Sequence, residues 1–303
     1  MKLSLMMSAA LLLSASAFAE DKKPETPVPA TGPVKKVLLI THSRGFIHDS
    51  VGVAEEVLKK VGPKAGFEVT CYRYTNDPKE DNGKALTKYS EEFRKRTGMN
   101  VTEDNCGRVN KETLSKFDAV IFFTTGNPLN EAEVADLVSW VKAGGALVAT
   151  HCGSDTLYPN KDRMWASAYG DLVGAYFDGH PWHQKIKLTV EDAAHAGANG
   201  FKNGDEITDE IYQFRPEPYS RNKLHIILSV DNTSIDIKKG KRADNDYAIA
   251  WCQQVEKGRT FYTSLGHRRE VWNDSRFQEH LLGAIRWTLK QSPGESTPTG
   301  AKK

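Results

Sequence analysis

Apolar runs alternate with helical periodicity through the first half of the chain. VLLIT (37–41), FEVTCYRYT (67–75), AVIFFTT (119–125) and ALVAT (146–150) alternate with period two or are wholly apolar, which predicts strands. Between the last two, Asn130 stands three residues before Glu133 as a capping pair. Val134, Leu137, Val138 and Val141 then recur at helical spacing until Gly144-Gly145 ends the run. Strand, helix, strand in this rhythm predicts a parallel sheet with crossover helices. Ligands bind such sheets outside the carboxyl ends of the strands, so residues 42–48, 125–127 and 151–155 are where chemistry is expected.

The second half changes character. KIKLTVED (185–192), DEIYQF (209–214), LHIILSV (224–230), YAIAWCQ (247–253) and RTFYTSL (259–265) follow one another as strands with little helix between them, extending the sheet or adding an antiparallel layer. A last helix is predicted from a Ser275/Gln278 capping pair and the apolar stripe Phe277, Leu281, Leu282, Ile285 and Leu289. Residues 76–113 are polar and form an insertion of no legible function. The expected fold is α/β and flavodoxin-like, a mainly parallel sheet with helices on both faces and a mixed or antiparallel second half.

The ends of the chain differ from this pattern. In residues 1–19, Lys2 precedes the apolar run Leu11-Leu12-Leu13 and the segment closes on Ala17-Phe18-Ala19, as a cleaved export signal does. The apolar stretch is short of the roughly 20 residues that span a bilayer, so no membrane segment is expected after cleavage. A periplasmic or secreted protein follows. Residues 20–33 (EDKKPETPVPATGP) and 292–303 (SPGESTPTGAKK) are rich in Pro, Thr and charge and predict a disordered linker and tail around one domain, 34–291. With 41 Lys+Arg against 39 Asp+Glu, the charge of +2 is too small to mark a nucleic-acid partner. The four cysteines, Cys71, Cys106, Cys152 and Cys252, have no CxxC spacing. Export permits a disulfide, with Cys71 and Cys106 the candidate pair.

Nucleotide-binding glycine loops, a G-x-S-x-G elbow and an H-E-x-x-H helix are all missing, so no nucleotide cofactor is expected. What remains is a distribution of histidines. His42 and His48 follow the first strand, His151 the fourth and His267 the last, while His180 and His183 lie in DGHPWH. Imidazoles converging on one strand-end edge suit either a divalent metal, zinc or manganese, or proton transfer. The metal set so nominated is His48, His151, His180, His183 and His267, and the catalytic set is His151, His267 and Glu210. His195, His225 and His280 are expected to be structural or exposed. Asp155 and Asp209 are the other acids near the motifs. On a strand, Glu210 and Tyr212 share one face and Asp209 and Ile211 the other, so a core-facing Ile211 would turn Glu210 and Tyr212 away from that core.

THSRGFIHDS (41–50), GGALVATHCGSDT (144–156), FDGHPWH (177–183), DEIYQF (209–214) and KGRTFYTSLGH (257–267), in that order, resemble the ThuA-like, or trehalose-utilisation, family. The resemblance spans about residues 35–290 and implies a variant of the class I glutamine amidotransferase fold. Where those enzymes carry a G-x-C-x-G elbow, this chain reads Ala149-Thr150-His151-Cys152-Gly153. His151 occupies the nucleophile position and Cys152 follows it, so glutaminase activity is not expected and Cys152 reads as a buried inert thiol. The resemblance also implies a small carbohydrate as ligand, handled by a hydrolase or lyase acting on a glycoside or 3-keto-glycoside, or else bound by a non-catalytic accessory protein. Arg44, Asp155, Trp182 and Tyr212 are the residues expected to contact it. Oligomeric state is not legible.

Overall fold

The computed structural model describes residues 32–300; the expected export signal and nearly all of the expected 20–33 linker lie outside the described residues. In chain order the elements are β1 (Lys35–Ile40), α1 (Ser50–Val61), β2 (Phe67–Tyr72), α2 (Lys84–Thr97), α3 (Lys111–Leu114), β3 (Ala119–Phe122), α4 (Glu131–Lys142) and β4 (Ala146–Thr150). There follow α5 (Ser167–Val173), β5 (Trp182–Val190), β6 (Glu206–Ile211), β7 (His225–Val230), β8 (Ala248–Val255), β9 (Gly258–Thr263), α6 (Arg269–Asn273) and α7 (Ser275–Thr288).

The nine strands of the described residues join one sheet in the order β2-β1-β3-β4-β9-β8-β7-β5-β6. The five strands from β2 to β9 are parallel, and β8, β7, β5 and β6 continue antiparallel. This is the α/β fold with a parallel first half and an antiparallel second half that the apolar pattern predicts. Because side chains alternate across a strand, Val37 and Leu39 of β1 enter one core with α1 and α7, and Leu38 and Ile40 enter the other with α4 and α5. One face of β6 is exposed at Glu206 and Thr208, and both faces are covered only at its carboxyl end. Ile211 packs in the first core and Tyr212 in the second, so turning away from one core brings Tyr212 into the other rather than to solvent.

Capping follows local chemistry. Asn130 and Glu133 form the complete capping box of α4. On α7 the cap is Asp274, whose carboxylate accepts from the Arg276 backbone N–H at 2.9 Å, rather than Ser275, which is already the first helical residue. The 76–113 insertion contains α2 and all but the last residue of α3. It packs Phe93 into the core, and the Tyr89 hydroxyl accepts from the Ser43 backbone N–H at 3.2 Å, so the insertion braces the loop after β1. Glu55 of α1 braces the same loop from below, accepting from Thr41 Oγ1 at 2.9 Å and from Arg73 at 2.7 and 3.0 Å.

Two expectations change. Residues 292–300 are not a free tail. The Cys252 thiol donates to the Glu295 carbonyl at 3.4 Å, His225 Nδ1 lies 2.7 Å from the Thr297 carbonyl, and the Thr299 N–H donates to the Leu224 carbonyl at 3.0 Å. The polar composition that suggested disorder leaves the backbone of this segment to satisfy groups at the start of β7. Cys71 and Cys106 are both free thiols, one on β2 buried in the first core and the other donating to the Thr102 carbonyl at 3.3 Å. No helix among the described residues is long and apolar enough to cross a membrane.

Candidate functional site

The register between β4 and β9 creates the site. Thr150 pairs with Thr263 in parallel, so the two chains leave the sheet side by side, one into His151 and the other into Ser264 to His267. The loop after β1 adds His48, and the end of β6 adds Glu210. Donor atoms of His48, His151, Glu210 and His267 all lie within 4.8 Å of one another. Glu210 Oε2 is 3.2 Å from His267 Nδ1 and 3.5 Å from His151 Nε2, and the two imidazole nitrogens are 3.3 Å apart. Metal–donor bonds of about 2.0 to 2.2 Å give a tetrahedral edge of about 3.3 to 3.6 Å, so these three donors already stand at coordination spacing. His48 faces them with its ring centroid 4.9 Å from that of His151 and 5.2 Å from that of His267. Its buried Nδ1 has no hydrogen-bond partner among the described residues.

Supporting groups fix each imidazole. His151 Nδ1 is 2.9 Å from the Ser264 carbonyl, which only accepts, so Nδ1 carries the proton and Nε2 presents a lone pair to the cluster. The His151 backbone is left-handed at φ 45°, a tight turn at the end of β4 that non-glycine residues adopt at a cost of about 1 kcal/mol. Its carbonyl is held there by the Tyr262 hydroxyl at 2.7 Å and the Ser154 hydroxyl at 3.3 Å. Close approach explains Gly153 in the same turn, where a Cβ would meet the Phe122 carbonyl oxygen at 2.9 Å.

The His267 loop is gripped by a fully buried carboxylate. Asp209 Oδ2 accepts from the Gly266 N–H at 2.7 Å and Oδ1 from the Arg268 N–H at 3.0 Å, one donor on either side of His267. Trp272 Nε1 at 2.8 Å and Ser50 Oγ at 3.1 Å both donate to the Gly266 carbonyl.

Electrostatics acts differently on three of the four donors. Burial, reinforced by the charges of His151 and His267, lowers the His48 imidazole to about 2, so it is neutral near pH 7. Burial raises the Glu210 carboxyl, but the neighbouring imidazoles of His151 and His267, the latter donating from Nδ1 at 3.2 Å, outweigh it and leave the group ionised well below the usual carboxylate range. Burial alone would lower His267; the hydrogen bond and charge of Glu210 reverse that and raise it. Imidazole nitrogens around a carboxylate are the donor set that zinc and its first-row neighbours take, and His267, which Glu210 holds towards its charged form, would have to release its Nδ1 proton to a cation.

The remaining sequence-nominated residues divide. His180 and His183 stand at the rim rather than in the donor set. The side chain of His180 is 53% exposed, stacks on Phe177 at 5.7 Å and reaches Glu210 Oε1 at 3.5 Å, while His183, opposite Glu210 in the β5/β6 register, lies edge-on to His267 at 5.1 Å. Tyr212 enters the site, its hydroxyl 3.0 Å from His151 Nε2. Asp155 is half-buried within electrostatic reach of His151, Arg215 and His180, with its carboxyl raised by burial. Arg44 is exposed, anchored through its backbone N–H to the Thr125 carbonyl at 2.9 Å. Trp182 does not reach the site. It is buried in the core, donates to the Asp236 carbonyl at 3.0 Å and packs edge-on against Tyr247, because its β-strand position faces inward.

Cys152 is fully buried, and burial raises its thiol well above the ordinary range. His42 is a buried structural imidazole that accepts from the Thr75 N–H at 3.1 Å. His195 caps a short turn by accepting from the Gly197 N–H at 2.9 Å, and His280 is likewise buried. Sequence reasoning missed the gripping role of Asp209 and the carbonyls and hydroxyls of Ser264 and Tyr262. Alternation along β6 carried a partial signal for Asp209; nothing in the sequence signals a backbone carbonyl.

Fold and site together define an α/β protein of mixed sheet whose carboxyl edge gathers three histidines and a glutamate. The chain belongs to the ThuA family: a family profile described as trehalose utilisation matches residues 36–288. The fold is shared with two ThuA-like proteins of known crystal structure. One, from Bacteroides uniformis ATCC 8492, is 20% identical with a TM-score of 0.60, over 88% of this chain and 96% of that one. The other, from Parabacteroides merdae ATCC 43184, is 16% identical with a TM-score of 0.59, over 88% and 93%. Comparison with the curated proteins found no match. Family membership carries a carbohydrate-related role.

Proposed function

We propose that this protein is an exported carbohydrate-active enzyme whose His48–His151–Glu210–His267 cluster holds a divalent transition metal, zinc or manganese. It would act as a hydrolase or lyase on a glycoside or 3-keto-glycoside. The observation that carries the reading is the convergence of three buried or half-buried imidazoles and one ionised carboxylate at coordination spacing. His151 Nε2, His267 Nδ1, Glu210 Oε2 and one nitrogen of His48 would be the ligands. A metal held there supplies a Lewis acid for a sugar carbonyl or hydroxyl.

The other residues have roles that follow from their placement. Asp155, raised by burial and within electrostatic reach of His151 and His180, is suited to take or give a proton. Phe177 and His180, stacked at the rim, offer an apolar face against which the C–H side of a sugar ring can lie. A ketone at C3 acidifies the neighbouring C–H, so elimination needs only one such base. This suits a site whose second carboxylate, Glu210, is committed to the cluster.

The test is a titration of metal-free protein with zinc and with manganese, followed by assay of loaded and stripped protein on disaccharides and their 3-keto derivatives. Stoichiometric binding and metal-dependent sugar release support the reading. Sugar binding without turnover in the loaded protein would replace the enzyme with a non-catalytic binding protein.

A further inference from the structure

Tyr212 is not one of the four donors, yet it occupies one of their lone pairs. The Ser264 carbonyl 2.9 Å from His151 Nδ1 commits the His151 proton to that nitrogen. Nε2 can therefore only accept, and the Tyr212 hydroxyl at 3.0 Å is positioned to donate into it. The phenol makes no other hydrogen bond among the described residues. Nor can it swing out to water: its ring is buried, packed against His151 and Phe177 with centroids 4.3 Å away in each case and against Phe214 at 6.5 Å.

We propose that Tyr212 and a metal ion compete for His151 Nε2, and that metal binding redirects the Tyr212 O–H towards an oxygen of the bound ligand. This rests on the metal reading above and adds to it a ligand-contacting residue and a class of ligand. Once Nε2 is coordinated it has no lone pair to offer. A buried hydroxyl is left without its acceptor, which costs free energy until an oxygen supplies one. The preferred ligand therefore places a carbonyl or hydroxyl oxygen beside the cluster, within reach of the phenol. The same hydrogen bond weakens metal binding to the free protein and strengthens ligand binding to the loaded one, so its removal has opposite effects on the two.

Tyr212→Phe isolates this because it deletes the hydroxyl and keeps the ring packing. Zinc titration by calorimetry, with no sugar present, is expected to show binding about two- to tenfold tighter in the variant, the range of one neutral hydrogen bond. Acetohydroxamate, an oxygen-donor ligand for bound zinc, is expected to bind the zinc-loaded variant about two- to tenfold more weakly than the loaded wild type. Equal or weaker zinc affinity in the variant would overturn the competition, and equal acetohydroxamate affinity would overturn the redirected donor. If the wild type takes up no zinc or manganese at all, the metal reading itself fails, an outcome distinct from a wild type that binds metal and a variant that binds it no better.

Discussion

Asp209 gives the sharpest quantitative test of how the site is held together. It is fully buried, and its two oxygens accept from the Gly266 and Arg268 N–H groups at 2.7 and 3.0 Å, bracketing His267. Burial raises its carboxyl, while the charge of His151 and these backbone donors pull the other way. Asp209→Asn keeps the volume but replaces one acceptor with an NH2 group that faces a backbone donor. One charge-assisted hydrogen bond, worth about 1.5 to 3 kcal/mol, is lost, and one buried N–H is left unpaired, so a net loss of about 2 to 4 kcal/mol is expected. In a domain of this size that lowers Tm by about 4 to 16 °C. Freeing the loop also blurs the position of His267. Outer-shell losses of this kind weaken metal binding by about 10- to 100-fold. Calorimetric unfolding without metal reads the first effect, and zinc titration well below the variant's Tm reads the second, where destabilisation alone would not act. A variant within about 1 °C and about twofold of wild type would refute the gripping role, since that is smaller than a single neutral hydrogen bond supplies.

Acid should destabilise the protein earlier than its carboxylates alone would. Burial lowers His42 to about 3, His48 to about 2, and His195 and His280 to about 4. Between pH 6.5 and those values the unfolded chain binds protons that the folded chain does not, so stability falls as pH drops. Glu210, also lowered, adds to the loss below its ordinary range; His267, raised, opposes it with stability that is present below pH 6.5 and fades as pH rises through its folded value. Four histidines against one predict a lower urea midpoint at pH 5 than at pH 7.5, and an equal or higher one would contradict the burial. Truncation after Gln291 removes the Glu295 carbonyl and the cover over Cys252, which is fully buried in the intact chain. One additional thiol should then react with Ellman's reagent under native conditions, whereas unchanged reactivity would show that residues 292–300 are not what shields it.

Much of the fold was legible because its first half obeys short-range rules. Wholly apolar runs, the Asn130–Glu133 box and the Gly144-Gly145 stop are local signals, and they locate β3, α4 and β4 correctly. Strand ends then supplied three of the four clustered donors, His48, His151 and His267, since the carboxyl edge of a parallel sheet is fixed once the strands are. Glu210 was nominated on weaker grounds, because strand alternation gives a face but not which core that face meets. His180, His183 and Trp182 show the limit of proximity in sequence. His180 lies just before β5 and His183 on it, on the exposed side, and alternation along the strand sends Trp182 into the core. The gripping of the His267 loop depends on the partnering of β6 with a loop 57 residues later, a long-range contact that no local pattern encodes.

Metal content decides most directly whether the cluster is a metal centre. The protein, purified without a tag and reconstituted with zinc or manganese, would be dialysed and measured by elemental mass spectrometry beside His151→Ala and His267→Ala. About one equivalent in the wild type, lost from both variants, is the predicted result, since each variant removes a donor from a four-donor site. No metal in the reconstituted wild type, or full retention in both variants, would contradict it.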